Sequence, residues 1–300
     1  MTRFRSGAAI LVATVALGGC SMKKMGMARM ADAVSATATT FSTDDDPEFV
    51  RLAAPSTLKI VEMLLEDDPR HPGLLLTACS GFTQYAYAFL QVEAELSEAS
   101  NPPAARELRT RASRMYDRSR AYCLRALDAH TAGASAALPA GKIDLLRRIP
   151  KTDVAALYWL GAAWGGSLTL AENPILRLRE IAVLRAIFLR ALELDSSWES
   201  GAIHEGMIAI EGLPPLVGGS PARAREHFDQ AVALSNGQSA FAYVTLATSV
   251  AQPAKNRAEF EKLLRAALNI DASKRPPLRL ANLIAQKRAR VLLSQMDRLF

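Results

Sequence analysis

His204 and Glu205 stand side by side and invite a zinc reading, because a helix carrying H-E-x-x-H sets two imidazoles on one face with a glutamate base between them. The second histidine of that pattern falls at Ile208, which has no lone pair to offer. His71, His130 and His227 show no ligand-type spacing with cysteines or carboxylates. Gly218-Gly219-Ser220-Pro221 lacks the Gly-Lys-Ser/Thr of a phosphate loop, and no G-x-S-x-G elbow occurs. Glu93 and Glu95 lie two apart on a predicted helix and so point in different directions. The inventory predicts no catalytic residue, no metal site and no cofactor; it argues for binding, not turnover.

The residues suited to binding are Gln84, Tyr85, Tyr87 and Phe89 in one segment, with Tyr158, Trp159, Trp164, His204 and Glu205 further on. Tyr and Trp combine an apolar face with one polar atom, which suits an apolar or amphipathic ligand or a peptide. An aromatic on a packed helix also serves simply as core, so Gln84 and His204 are the better surface candidates.

A different chemistry sits at the N-terminus. Arg3 and Arg5 precede an apolar run over Ala8 to Leu17, followed by Gly18-Gly19-Cys20. The run is shorter than the ~20 residues a bilayer span needs and matches a secretory signal. Small residues before a cysteine resemble a bacterial lipobox, which predicts a signal peptide over 1–19 and acylation of Cys20. Two or three acyl chains hold a protein firmly where one holds marginally. Ser21, where many inner-membrane lipoproteins carry aspartate, favours the periplasmic face of the outer membrane. Formal charge is +6, and losing two arginines with the leader leaves +4, too little positive charge for a nucleic-acid binder. Cys79 and Cys123 remain. An oxidising compartment permits a disulfide, but such cysteines are more often small buried apolar residues.

These side chains must be positioned by helices. Ala224, Phe228 and Ala231 are four and three apart and line one helical face. Ser220 can cap that helix, Pro221 fits its first turn, and Gly237 follows where a left-handed residue is wanted. The small-x3-large-x2-small phrase is the second half of a tetratricopeptide (TPR) repeat, and it recurs around Ala191, Ala267 and, more loosely, Ala126. Leu157, Leu160, Gly161 and Trp164 supply a first-half pattern behind a capping Asp153. Residues 20–46 read as a lipidated tether with a weak helical pattern over 28–38, and 47–300 as a helical domain. Pro55 is expected to split the helix that starts at Pro47. Long helices are expected over 74–97 and 104–127, a short one over 141–148, and later ones over 153–164, 175–194, 200–211, 240–250 and 257–270. A final helix over 278–296 should close the hydrophobic end, with Lys287, Arg288 and Arg290 facing water. The arginine stripe Arg111, Arg114, Arg118 and Arg125 reads as a solvated face. No segment alternates with period two. The fold expected is all-α: a TPR-like α-solenoid of antiparallel helix pairs with capping helices at both ends.

Several phrases occur in a specific order: Asp44-Asp45-Asp46-Pro47-Glu48, Thr83-Gln84-Tyr85-Ala86-Tyr87-Ala88-Phe89, Ala156-Leu157-Tyr158-Trp159-Leu160-Gly161, Gly201-Ala202-Ile203-His204-Glu205, Gly218-Gly219-Ser220-Pro221 and Leu280-Ala281-Asn282-Leu283-Ile284-Ala285-Gln286. Together they resemble the TatT family, the TPR-containing lipoproteins associated with tripartite ATP-independent periplasmic (TRAP) transporters. The resemblance implies a homotrimer with a central pore that works beside the transporter's periplasmic solute-binding protein, with hydrophobic organic acids as ligands. It carries over no catalytic or ligand residue. The alternative reading is a periplasmic TPR scaffold for envelope protein assembly with no small-molecule ligand.

Overall fold

The computed structural model describes residue 33, residues 38–171 and residues 178–300. The leader, Cys20, nearly all of the weak helical pattern over 28–38, and the expected helix start at Ile175 lie outside these residues.

The order of elements follows from local signals. A short helix α1 (Ala38–Ser42) leads to α2 (Pro47–Asp67), whose cap is Asp46: its carboxylate accepts from the N–H groups of Glu48 and Phe49. Pro55 lies inside α2 without splitting it, contrary to expectation. Its side is exposed, so water can take the Arg51 carbonyl that loses its amide partner. Next come α3 (Pro72–Ala86), a π turn over Tyr87–Gln91 and α4 (Val92–Ser97), which form one continuous rod. α5 (Pro102–Asp128) begins on its two prolines, with Asn101 as cap. After a one-turn α6 (Ala134–Ala137), the expected helix over 141–148 is a 3₁₀ segment, Ile143–Arg148.

The second half contains α7 (Val154–Thr169), α8 (Leu178–Asp195), α9 (Ala202–Glu211) and α10 (Pro221–Ser235). It continues with α11 (Ala240–Leu246), a second π turn over Ala247–Ala251, α12 (Arg257–Leu268), α13 (Arg279–Ser294) and α14 (Met296–Leu299). No strand occurs among the described residues. Ser220 caps α10 as its position requires, accepting from the N–H of Arg223. Asn236 and Gly237 both take left-handed backbone at its end. Asp153 precedes α7 but makes no side-chain cap bond; its carboxylate meets His130 Nδ1 at 2.7 Å instead.

Helices nest with their neighbours in sequence: α3 on α5, α7 on α8, α9 on α10 and α11 on α12. One large core runs from α2 to α9, and a second from α9 to the C-terminus. Ala224 and Ala231 are fully buried, with Phe228 edge-on to Tyr243. Phe188 shows why the small residues recur: an added Cβ at Gly161 or Gly206 would stand 2.4 or 2.3 Å from its ring. Cys79 and Cys123 form a disulfide, S–S 2.04 Å, tying α3 to α5. The reading of two free buried cysteines is corrected. The nested helices bring the two Cα atoms to 4.8 Å, within bonding reach.

The solenoid also closes on itself. Val50, Phe89 and Val92 pack against Leu280 and Ile284 of α13, so the last long helix touches the first ones. Arg288, expected in water, is therefore enclosed: it donates to Glu95 at 2.6 Å and to the Tyr87 hydroxyl at 3.4 Å. Lys287 is exposed but paired with Glu93, and Arg290 is exposed.

Candidate functional site

The seam between the two ends holds an open cleft of ≈ 380 Å³. Its apolar wall is Tyr85, Phe89, Leu90 and Leu108; its charged residues are Glu48, Arg51, Glu93, Arg111 and Lys287. Phe89 stands within the π turn, one turn along from Tyr85, and their rings lie 5.8 Å apart at 51°. Arg51 donates to Glu48 at 2.8 Å, and Lys287 is bonded to Glu93. Among the described residues Arg111 has no ion-pair partner. Such a cleft can hold a molecule with an apolar body and a charged head.

Two sequence candidates thus share the cleft, and the others are distributed. Gln84 is exposed, as expected. Tyr87 points away from the cleft toward Arg288 and packs edge-on against Phe241, with centroids 5.5 Å apart. Tyr158 sits among Trp159, Trp198 and Phe188 at 4.8, 4.7 and 6.1 Å. Trp164 is core: it is 1% exposed, donates its indole N–H to Glu180 at 2.6 Å and lies under the Arg120 guanidinium.

His204, taken from sequence as a surface residue, is buried at 8% exposure, because α10 covers it. Its Nδ1 lies 2.9 Å from that of His227. Burial holds the His204 imidazole down to about 4, and the neighbouring His227 adds to that. Glu205 is buried and accepts a hydrogen bond from Ser239. Burial pushes its carboxyl up to about 7, although the Ser239 bond opposes that. Its charge is felt by the Tyr87 and Tyr158 phenols, both raised mainly by burial, so these three candidates share one interior neighbourhood.

Gly218-Gly219-Ser220-Pro221 is structural. The Gly218 carbonyl accepts from Arg185 and Arg223 at 3.0 and 2.8 Å, and both arginines also bind the buried Glu211. A Cβ on Gly219 would lie 1.7 Å from the Leu213 carbonyl oxygen, so only glycine fits.

Sequence reasoning missed Arg51, Glu48, Leu108, Arg111 and Lys287 as cleft residues. Leu108 and Arg111 are three apart on α5 and so share a face. Nothing in a single helix signals which distant helix will stand opposite. Among the described residues no group of three or more His, Cys, Asp or Glu could hold a metal ion. No described helix is long and apolar enough to cross a membrane.

Fold and cleft together define an all-α solenoid closed by its last long helix, with an amphipathic groove at the closure. The family profile described as TAtT, TRAP transporter T-component, matches residues 43–300, and the chain belongs to that family. Membership gives it an accessory role in TRAP transport. An uncharacterized protein of Treponema pallidum (strain Nichols) is similar to it, 28% identical over 267 residues that cover 87% of this chain and 82% of the relative.

Proposed function

We propose that this TRAP component docks the periplasmic solute-binding protein of its transporter and assists uptake of a hydrophobic organic acid. The family match over nearly the whole helical region carries the reading. The cleft supports its ligand half, since an apolar wall beside cationic side chains suits an organic anion. Its protein-docking half has support in α2, where Phe49, Leu52, Ile60 and Met63 are 44–63% exposed at three- to four-residue multiples along one face. Cys20 serves as the lipid anchor, residues 20–46 as the tether, and the periplasmic face of the outer membrane as the address. In this reading the helical domain works as a homotrimer.

Deleting the gene in its own host tests the proposal. Uptake of the transporter's organic acid should fall to the level of a strain lacking the solute-binding protein, and a Cys20→Ser copy should restore it poorly. Undiminished uptake in the deletion strain would refute the role in uptake.

A further inference from the structure

The cleft is charged unevenly, and the imbalance specifies a ligand. Of its three cations, Arg51 is held by Glu48 and Lys287 by Glu93. Arg111, one helical turn along the same face of α5 from Leu108, is exposed and has no carboxylate partner among the described residues. Arg114, three residues further along α5, is also exposed and unpaired among the described residues, and it does not line the cleft. The lining therefore carries three positive and two negative side chains beside the apolar side chains of Tyr85, Phe89, Leu90 and Leu108.

We propose that the cleft binds a single-chain amphipathic carboxylate, with its headgroup on the Arg111 guanidinium and its hydrocarbon against Tyr85, Phe89 and Leu108. This deepens the organic-acid reading above, rests on it, and adds where the acid sits. A guanidinium matches a carboxylate with two parallel N–H donors. One free cation satisfies one negative charge. A dianion would place its second charge near Glu48 and Glu93, which disfavours phosphomonoesters and dicarboxylates. The open groove lets the head remain partly hydrated while the chain lies against one wall, and each methylene, about half-buried there, tightens binding about twofold.

Titration calorimetry on the purified full chain, with decanoate, octanoate and decanol as probes, tests this. One decanoate per chain is expected, with octanoate about fourfold weaker and decanol at least about tenfold weaker. Arg111→Gln should weaken decanoate about tenfold and leave decanol unchanged. Leu108→Trp, which thickens the apolar wall, should abolish both. Arg114→Gln should bind as the parent does. Arg111 and Arg114 are exposed and unpaired among the described residues, so coincident thermal melts will show that their variants fold. Unaltered decanoate binding in Arg111→Gln and Leu108→Trp would overturn the site and leave the organic-acid reading standing. Equal losses in Arg111→Gln and Arg114→Gln would overturn the specific role of Arg111. Equal binding of decanol and decanoate would overturn the charge selection. If the parent protein binds no acid at all, the site and the organic-acid reading fall together.

Discussion

Arg288 and Glu95 meet across 193 residues of sequence, Nε donating to Oε2 at 2.6 Å, and with Lys287–Glu93 this contact links the last long helix to the first helical pair. The side chains are 16% and 30% exposed, so each charge depends on the other for much of its solvation. Glu95→Ala strands the guanidinium beside only the Tyr87 hydroxyl and should cost about 3 kcal/mol in urea unfolding. The double variant Arg288→Met, Glu95→Leu should cost clearly less, because no charge is left uncompensated. Arg290→Met, on the exposed side of the same helix, should change stability by no more than about 0.5 kcal/mol.

The disulfide gives a redox-dependent stability. Cys79 and Cys123 are 44 apart in sequence, so the crosslink removes entropy from a long loop of the unfolded chain and should contribute about 2–4 kcal/mol. Melting in a phosphine reductant should lower Tm in the parent protein and leave Cys79→Ala, Cys123→Ala unaffected.

Glu205 gives a pH dependence of defined sign. Its folded carboxyl titrates near 7 and its unfolded one near 4.5, so the folded state holds the proton more tightly. Its contribution is most favourable below pH 4.5, declines as pH rises, and is fully lost once pH passes 7. Glu205→Gln should match the parent at pH 4.5 and be more stable by about 1–3 kcal/mol at pH 8. His204 runs the other way: with its folded imidazole held near 4, it destabilises the fold as pH falls from 6.5 toward 4. Tm against pH for Glu205→Gln and His204→Asn separates the two contributions.

Phe188 and its two glycines make a packing prediction. Gly161→Ala and Gly206→Ala each drive a methyl into the ring and should cost about 1–3 kcal/mol. Phe188→Leu should recover part of that loss in either background, as measured by a double-mutant cycle in denaturant.

The helices and their buried faces were legible because small and large residues recur in phase: Ala224, Ala231, Leu157, Leu160 and Ala267 are all buried as that phase requires. The Ser220 cap and the first-turn Pro221 were legible from local residue type as well. What escaped is what distant or displaced elements decide. The π turn at Tyr87–Gln91 inserts a residue into the helical register, and no periodicity in the sequence announces it. Arg288 looks solvated on α13 alone and becomes enclosed only when α4 and the π turn arrive. His204 disappears under α10, and Asp153 takes His130 in place of its own helix. Half of the cleft's apolar wall was visible as Tyr85 and Phe89; its cations were not, because an arginine on one helix carries no mark of the groove it will border.

The proposed role in uptake depends on a physical partnership with the transporter's solute-binding protein. Sedimentation velocity of the full chain mixed with that subunit, with and without decanoate, tests it most directly. We predict a complex whose sedimentation coefficient exceeds that of either component and whose stability changes when the acid is present. Independent sedimentation of the two proteins at tens of micromolar, with and without acid, would contradict it.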